Sequence, residues 1–222
     1  MSGTPWEIPE RIRQIDDLNR DDHAYLKRAD ECYFLYEYTA GEGRQAGEID
    51  RLIHDLKKKP GDRGYRYKAE SIAHCAAAFS ETLTADWVAA VALIPIPPSR
   101  IAADLDYDDR ISRICRGIRQ PGRLDVRELI EQIRSTGTFH EGQRRRPAEL
   151  RANYRFNEEY LEELPAIVAV VDDMLTTGSH FRAVKDMILE RAPDCRVIGL
   201  FVARRTLPDP YQEVLQQGPA KK

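Results

Sequence analysis

Residues 167–187 (IVAVVDDMLTTGSHFRAVKDM) constrain the fold more than any other stretch of the 222-residue chain. Ile167, Val168, Ala169, Val170 and Val171 form a short β-branched apolar run, the pattern of a strand buried on both faces. Asp172 and Asp173 stand where that strand ends. Thr176, Thr177, Gly178 and Ser179 make a hydroxyl-rich turn, and Phe181, Val184, Met187 and Ile188 then recur at helical spacing. A turn between a strand and a helix N-terminus offers free backbone N–H groups and the positive end of the helix dipole, which together hold a phosphate. Two acids just before it can hydrogen-bond vicinal hydroxyls. Phosphate on one side and a diol on the other describe a ribose 5-phosphate. Either half alone is read more simply, as a solvated strand end or a capped turn. The combination points to a ligand.

The rest of the chain supplies partners for this strand. Cys32 to Thr39 crowds apolar and aromatic residues into an expected strand, and residues 88–96 and 197–203 read as further buried strands. Helices are expected over residues 48–59, with Ile49, Leu52, Ile53 and Leu56 on one face, and over 67–85. Ile8, Ile12, Ile15 and Leu18 suggest a short amphipathic helix near the start. Residues 124–126 read as a short strand, Asp125 and Glu128 also have capping-box spacing for a helix over 127–135, and 148–157 reads as helix or turn. The acidic run at 104–109 reads as a solvated helix start, with a divalent-cation site as the alternative. This order predicts an α/β fold with a doubly wound, mostly parallel sheet. It divides into an N-terminal α+β extension, or hood, over residues 1–85 and a core over 86–222.

Two loops would share an edge with the acid pair. Pro95-Ile96-Pro97-Pro98-Ser99-Arg100 follows a strand, and prolines there stiffen the loop and leave backbone groups uncommitted. In open α/β sheets ligands lie beyond the C-terminal strand ends, so Arg100 is placed to face a diphosphate; a plain loop with a surface Arg fits the spacing equally well. Residues 136–147 (TGTFHEGQRRRP) form a polar loop carrying Arg144, Arg145 and Arg146, which either closes over a phosphate ligand or is simply solvated.

Residues 168–179 resemble the phosphoribosyl-diphosphate (PRPP) signature of type I phosphoribosyltransferases at every position, and only His180 departs, where Thr or Ser is usual. Within that superfamily the chain is most similar to the ComF-type (competence protein F) family, over about residues 36–205. Residues 93–100 resemble that family's diphosphate loop, 129–156 its flexible-loop region and 48–59 an upstream helix. The resemblance implies transfer of a phosphoribosyl group from PRPP to an unidentified nitrogenous acceptor, assisted by Mg²⁺. It implies catalytic roles for Asp172, Asp173 and Arg100, substrate contacts from Thr176, Thr177, Gly178, Ser179, Pro98, Ser99 and Arg145, and Asp172 and Asp173 as the metal-side carboxylates. The alternative is a non-catalytic module that senses PRPP or a nucleotide 5-phosphate in a DNA-uptake, nucleic-acid or defence pathway. Thr176 replaces an Asp found in enzymes acting on 6-oxopurines, which ranks hypoxanthine and guanine low as acceptors. The family's zinc ribbon and its Arg-Gly-Phe-Asn-Gln segment have no counterpart.

Charge and cysteine usage narrow the setting. The net charge of −3 gives no basis for expecting direct nucleic-acid binding. The four cysteines lie far apart and read as reduced thiols. The longest apolar run is too short for a membrane span, and the polar N-terminus lacks a secretory pattern. A cytoplasmic protein is expected, with a homodimer as an expected assembly.

Overall fold

The structure, a computed structural model, describes residues 6–39, 47–136 and 145–207. Three segments read from the sequence lie outside them: a loop at Gly41 and Gly43, the middle of the basic loop with Arg144, and a C-terminal anchor from Tyr211 to Leu215. Among the described residues a six-stranded sheet carries the fold. Its strands are β1 (Arg13–Gln14), β2 (Cys32–Thr39), β3 (Val91–Pro95), β4 (Asp125–Val126), β7 (Ile167–Leu175) and β8 (Arg196–Thr206). They lie in the order β1-β2-β8-β7-β3-β4, parallel throughout except for β1 against β2. A separate antiparallel hairpin pairs β5 (Ile130–Gln132) with β6 (Tyr154–Phe156). The expected mixed α/β sheet is therefore present.

Six α-helices among the described residues pack around it: α1 (Glu48–Leu56), α2 (Tyr67–Thr82), α3 (Ala85–Ala90), α4 (Arg110–Gly117), α5 (Pro147–Arg151) and α6 (Ser179–Leu189). Side chains alternate along a strand, and β7 uses both faces. Ala169 and Val171 pack with Leu52, Leu56, Phe79 and Ile114 of α1, α2 and α4. Val168 and Val170 pack with Ile130, Tyr154, Phe181 and Val184 of the hairpin and α6. Val168, Val170 and Val171 are at most 1% exposed, and burial of each is worth about 1.5–3 kcal/mol. That anchors the strand and hence the two acids at its end. Residues before 86 are part of the same body: β2 joins the sheet edge beside β8, and Leu35 and Phe79 share a cluster with Leu93 and Val171.

Several elements differ from expectation. The segment from Ile8 to Leu18 is extended, not helical: β1 pairs with the open edge of β2, Ile15 is buried, and Leu18 is left solvent-exposed. Main-chain pairing at a sheet edge outcompetes a three-turn helix whose apolar stripe is only partly covered. The strand expected over 88–96 begins only at Val91, because Thr84 accepts a hydrogen bond from the Trp87 N–H and starts α3 in an alanine-rich stretch. The helix expected over 127–135 is β5 instead. Asp125 sits in β4 and binds the Arg127 guanidinium, with Nη2 to Oδ2 at 2.8 Å. The Arg127 N–H donates to the Leu93 carbonyl, which extends the sheet register rather than opening a helix. Residues 148–157 split into α5 and β6. No described helix is long and apolar enough to cross a membrane. All four thiols are free, three of them buried.

Candidate functional site

The connection from β3 runs through α4 to β4, and the connection from β7 runs through α6 to β8, on the opposite side. The sheet order therefore reverses between the adjacent strands β3 and β7. In doubly wound sheets that switch point opens a crevice at the C-terminal strand ends. The loops that flank it are 96–100 after β3 and 176–178 after β7. The Ile96 N–H donates to the Val171 carbonyl at 2.9 Å, which fixes one loop against the other strand.

At the end of β7 the two acids point to opposite faces, following the strand's two-residue period. Asp173 is 4% exposed and faces the α1/α4 side. It accepts from Arg110 Nε at 3.0 Å and Nη2 at 2.9 Å, and Lys57 Nζ lies 3.7 Å away. Burial opposes its ionisation, but Lys57 and Arg110 outweigh burial and hold the carboxyl well below the usual range. Asp172 faces the α6/hairpin side, half-buried, and accepts from the Asp173 N–H at 2.8 Å. Burial first, and the neighbouring Asp173 charge second, push its carboxyl up.

The turn after β7 is held from outside. Gly178 has φ 78°, the left-handed conformation that glycine adopts at no steric cost, and it starts α6. A Cβ there would also stand 2.8 Å from Leu26 Cδ2. His23 Nδ1 bonds the Thr176 carbonyl, and the Tyr25 N–H donates to the Thr177 carbonyl at 2.8 Å. Thr177 Oγ1 donates to Ser179 Oγ at 3.3 Å. No acidic residue occupies the first turn of α6, so its dipole is not offset there.

His180 follows, with Nδ1 2.8 Å from the Tyr154 hydroxyl of β6. Burial lowers its imidazole to about 4, with Asp173 opposing and Arg145 acting in the same sense as burial. The ring is therefore neutral near pH 7. Burial and the Asp172 charge raise the Tyr154 hydroxyl, and Arg145 opposes them. Arg145 thus lies within electrostatic reach of both groups.

Across the crevice, Pro98, Ser99 and Arg100 line a cavity of about 180 Å³ shared with Lys57, Lys59, Lys68 and Arg110. Pro98 and Arg100 also line a neighbouring cavity of about 420 Å³ that reaches Tyr107, Glu131 and Arg155. Arg100 Nη1 turns back to Asp104 Oδ2 at 3.4 Å. The Ser99 carbonyl accepts from the Thr136 N–H at 2.8 Å, which ties this loop to the base of the hairpin. The acidic run 104–109 leads into α4 as expected, with Asp109 at the helix N-cap, and three of its other acids are paired with cations. Asp104 faces Arg100, Asp106 faces Lys59 at 2.8 Å, and Asp108 faces Lys68 at 2.7 Å and Arg110 at 2.5 Å. Helix α4 begins after it.

The expected site residues thus fall in two groups. Asp172, Asp173, Thr176, Thr177, Gly178 and Ser179 lie together in sequence and space, Arg145 is within electrostatic reach of the neighbouring His180 and Tyr154, and Pro98, Ser99 and Arg100 occupy the loop after the adjacent strand β3, in cavities lined by residues of α1 and α4 and of the hairpin rather than by the turn. Lys57, Arg110, Tyr154 and His23 were not singled out from sequence. Lys57 belongs to a visible basic run, but its approach to Asp173 depends on how α1 docks. Arg110 carries no local signal at all. As a magnesium site, the arrangement offers Asp172, while Asp173 is committed to two cations. No described group of three or more His, Cys, Asp or Glu is placed to hold a metal. Mg²⁺ takes one or two carboxylates and completes its shell with waters and substrate phosphates. The donors therefore fit an ion carried in by a phosphorylated ligand rather than an all-protein cage. The chain matches no protein-family model and no curated protein.

Proposed function

We propose that this crevice binds PRPP and that the protein is a type I phosphoribosyltransferase-like enzyme, transferring the phosphoribosyl group to a nitrogenous acceptor. One observation carries the reading. A left-handed glycine turn opens α6 at the sheet's switch point, just after a strand that carries Asp172 near its C-terminal end, and a proline-stiffened loop ending in Arg100 follows the adjacent parallel strand β3. The turn's N–H groups and the hydroxyls of Thr176, Thr177 and Ser179 would hold the 5-phosphate. Asp172 would accept hydrogen bonds from the ribose hydroxyls. The anomeric C–O bond breaks, its electron pair leaves with diphosphate, and the acceptor nitrogen's lone pair forms the new C–N bond while its proton passes to solvent. Positive charge builds on the ribose as that bond opens, and the Asp172 carboxylate offsets it. Arg100 and Arg145 would offset charge on the departing diphosphate. Mg²⁺, held by Asp172 and the substrate's own oxygens, would supply further neutralisation of that leaving group.

A second reading, a non-catalytic sensor of PRPP or a nucleotide 5-phosphate, is favoured by the commitment of Asp173 to Arg110 and Lys57. Those cations leave one carboxylate, not two, beside a centre that becomes positive. A single assay separates the readings: PRPP, Mg²⁺ and a panel of nitrogenous bases, with diphosphate release followed over time. Turnover that is lost in Asp172→Asn supports the enzyme. Tight PRPP binding with no release on any base supports the sensor. Absence of binding to PRPP and to ribose 5-phosphate would overturn both.

A further inference from the structure

The segment from Asp22 to Asp30 precedes β2 and lies outside every part of the chain that the ligand reading uses, yet it touches three consecutive residues of the turn after β7. His23 Nδ1 bonds the Thr176 carbonyl, the Tyr25 N–H donates to the Thr177 carbonyl at 2.8 Å, and the Leu26 side chain lies against Gly178. The same segment is fastened to α6. Asp30, 4% exposed, pairs with Arg182 and with Lys185 Nζ at 3.0 Å, and Arg182 Nε donates to the Tyr25 carbonyl at 3.3 Å. Asp22 reaches Arg204 of β8 at 3.0 Å. His23 is 1% exposed, and its ring's only hydrogen bond among the described residues is the one to Thr176.

A peptide carbonyl that faces a bound anion repels it, and one tied away leaves the N–H side of the turn to face the ligand. Both carbonyls of this turn are tied on the same side, by one segment. We infer that residues 22–30 form a brace that presets the anion-binding turn, and that His23 is a positioning residue for the 5-phosphate through the Thr176 carbonyl. The inference rests on the ribose-phosphate reading of the site. It requires His23 to carry its proton on Nδ1, so an Asn side chain, whose amide nitrogen occupies the Nδ1 position, can replace it. A Gln, whose amide sits further out, and a Leu, which has no donor, cannot.

The test uses the full chain with ribose 5-phosphate and, separately, magnesium diphosphate as probes in calorimetric titrations, with thermal melting as the fold control. His23→Leu and His23→Gln are expected to bind ribose 5-phosphate about tenfold more weakly than wild type, the scale of one lost buried hydrogen bond. His23→Asn is expected to stay within about threefold of wild type, and diphosphate affinity to stay unchanged in all three. If His23→Leu does not fold, the Asn and Gln pair carries the comparison. Equal affinity for ribose 5-phosphate in His23→Gln and His23→Asn, or an equal loss for both probes, overturns the brace while leaving the ribose-phosphate reading intact. A wild-type chain that binds neither probe overturns both.

Discussion

Asp172 and Asp173 are neighbours in sequence and opposites in environment. One strand period sends Asp173 toward α1 and α4, where Arg110 and Lys57 meet it, and Asp172 toward the hairpin and α6, where it accepts a hydrogen bond from the Asp173 main chain. The same chemical group becomes a buried counter-ion on one face and a half-buried carboxyl tied to the main chain on the other, which the proposed function assigns to the ligand. A pair of acids in a sequence motif is therefore not two copies of one role. What each acid does is set by which helices dock on its face.

That contrast can be broken by substitution, beginning with its strongest consequence. Asp173→Ala leaves Arg110 and Lys57 facing an empty buried site, and is expected to cost about 3–5 kcal/mol of stability in urea unfolding. Asp172→Ala is expected to cost under about 1 kcal/mol in the same measurement, because it removes a desolvated carboxyl that forms no ion pair among the described residues. If the two variants lose stability equally, the assignment of roles fails. Activity should show the reverse order. Asp172→Asn is expected to lower phosphoribosyl transfer by about 10²–10³-fold with no loss of melting temperature, the scale of one removed electrostatic stabiliser.

Smaller effects sharpen the comparison at the turn. Gly178→Ala combines a positive φ with a close approach to Leu26, and is expected to cost about 1–3 kcal/mol and to weaken ribose 5-phosphate binding. Titration tests the acids without any mutation in the fold. Asp173, with its carboxyl lowered, contributes stability that is present above the unfolded carboxylate range and is lost as pH falls through it. Asp172, with its carboxyl raised, does the opposite: the native state binds the extra proton, so stability declines as pH rises from the ordinary carboxylate value toward the raised one. Unfolding measured against pH should lose that decline in Asp172→Asn and keep the acid-side loss. The smallest effect is expected at His180. Its lowered imidazole makes stability fall from pH 6.5 toward about 4, and His180→Thr should flatten that interval while holding ribose 5-phosphate affinity within about threefold, by restoring a hydroxyl donor.

The local elements of the site were legible because they depend on short-range chemistry. The β-branched run 167–171 can be little but a buried strand, Gly178 meets a positive φ that other residues resist, and the apolar spacing after Ser179 places α6 within a residue. Errors arose where a segment could satisfy two patterns. Residues 8–18 carry a helical stripe but lie beside an open strand edge, and Asp125 and Glu128 have capping-box spacing in a stretch whose other reading, a short strand at 124–126, is the one that β3 recruits.

The sequence by itself determined that a strand, two acids, a turn and a helix would stand in line, since each is dictated by residues within a few positions of one another. Only the tertiary structure decided which acid is neutralised, that Arg110 and Lys57 do it, and that His23 and Tyr25 grip the turn from 150 residues away. Those pairings depend on how helices and the N-terminal segment dock on the sheet. Docking is governed by complementary surfaces summed over the whole fold, and no single stretch of sequence encodes it.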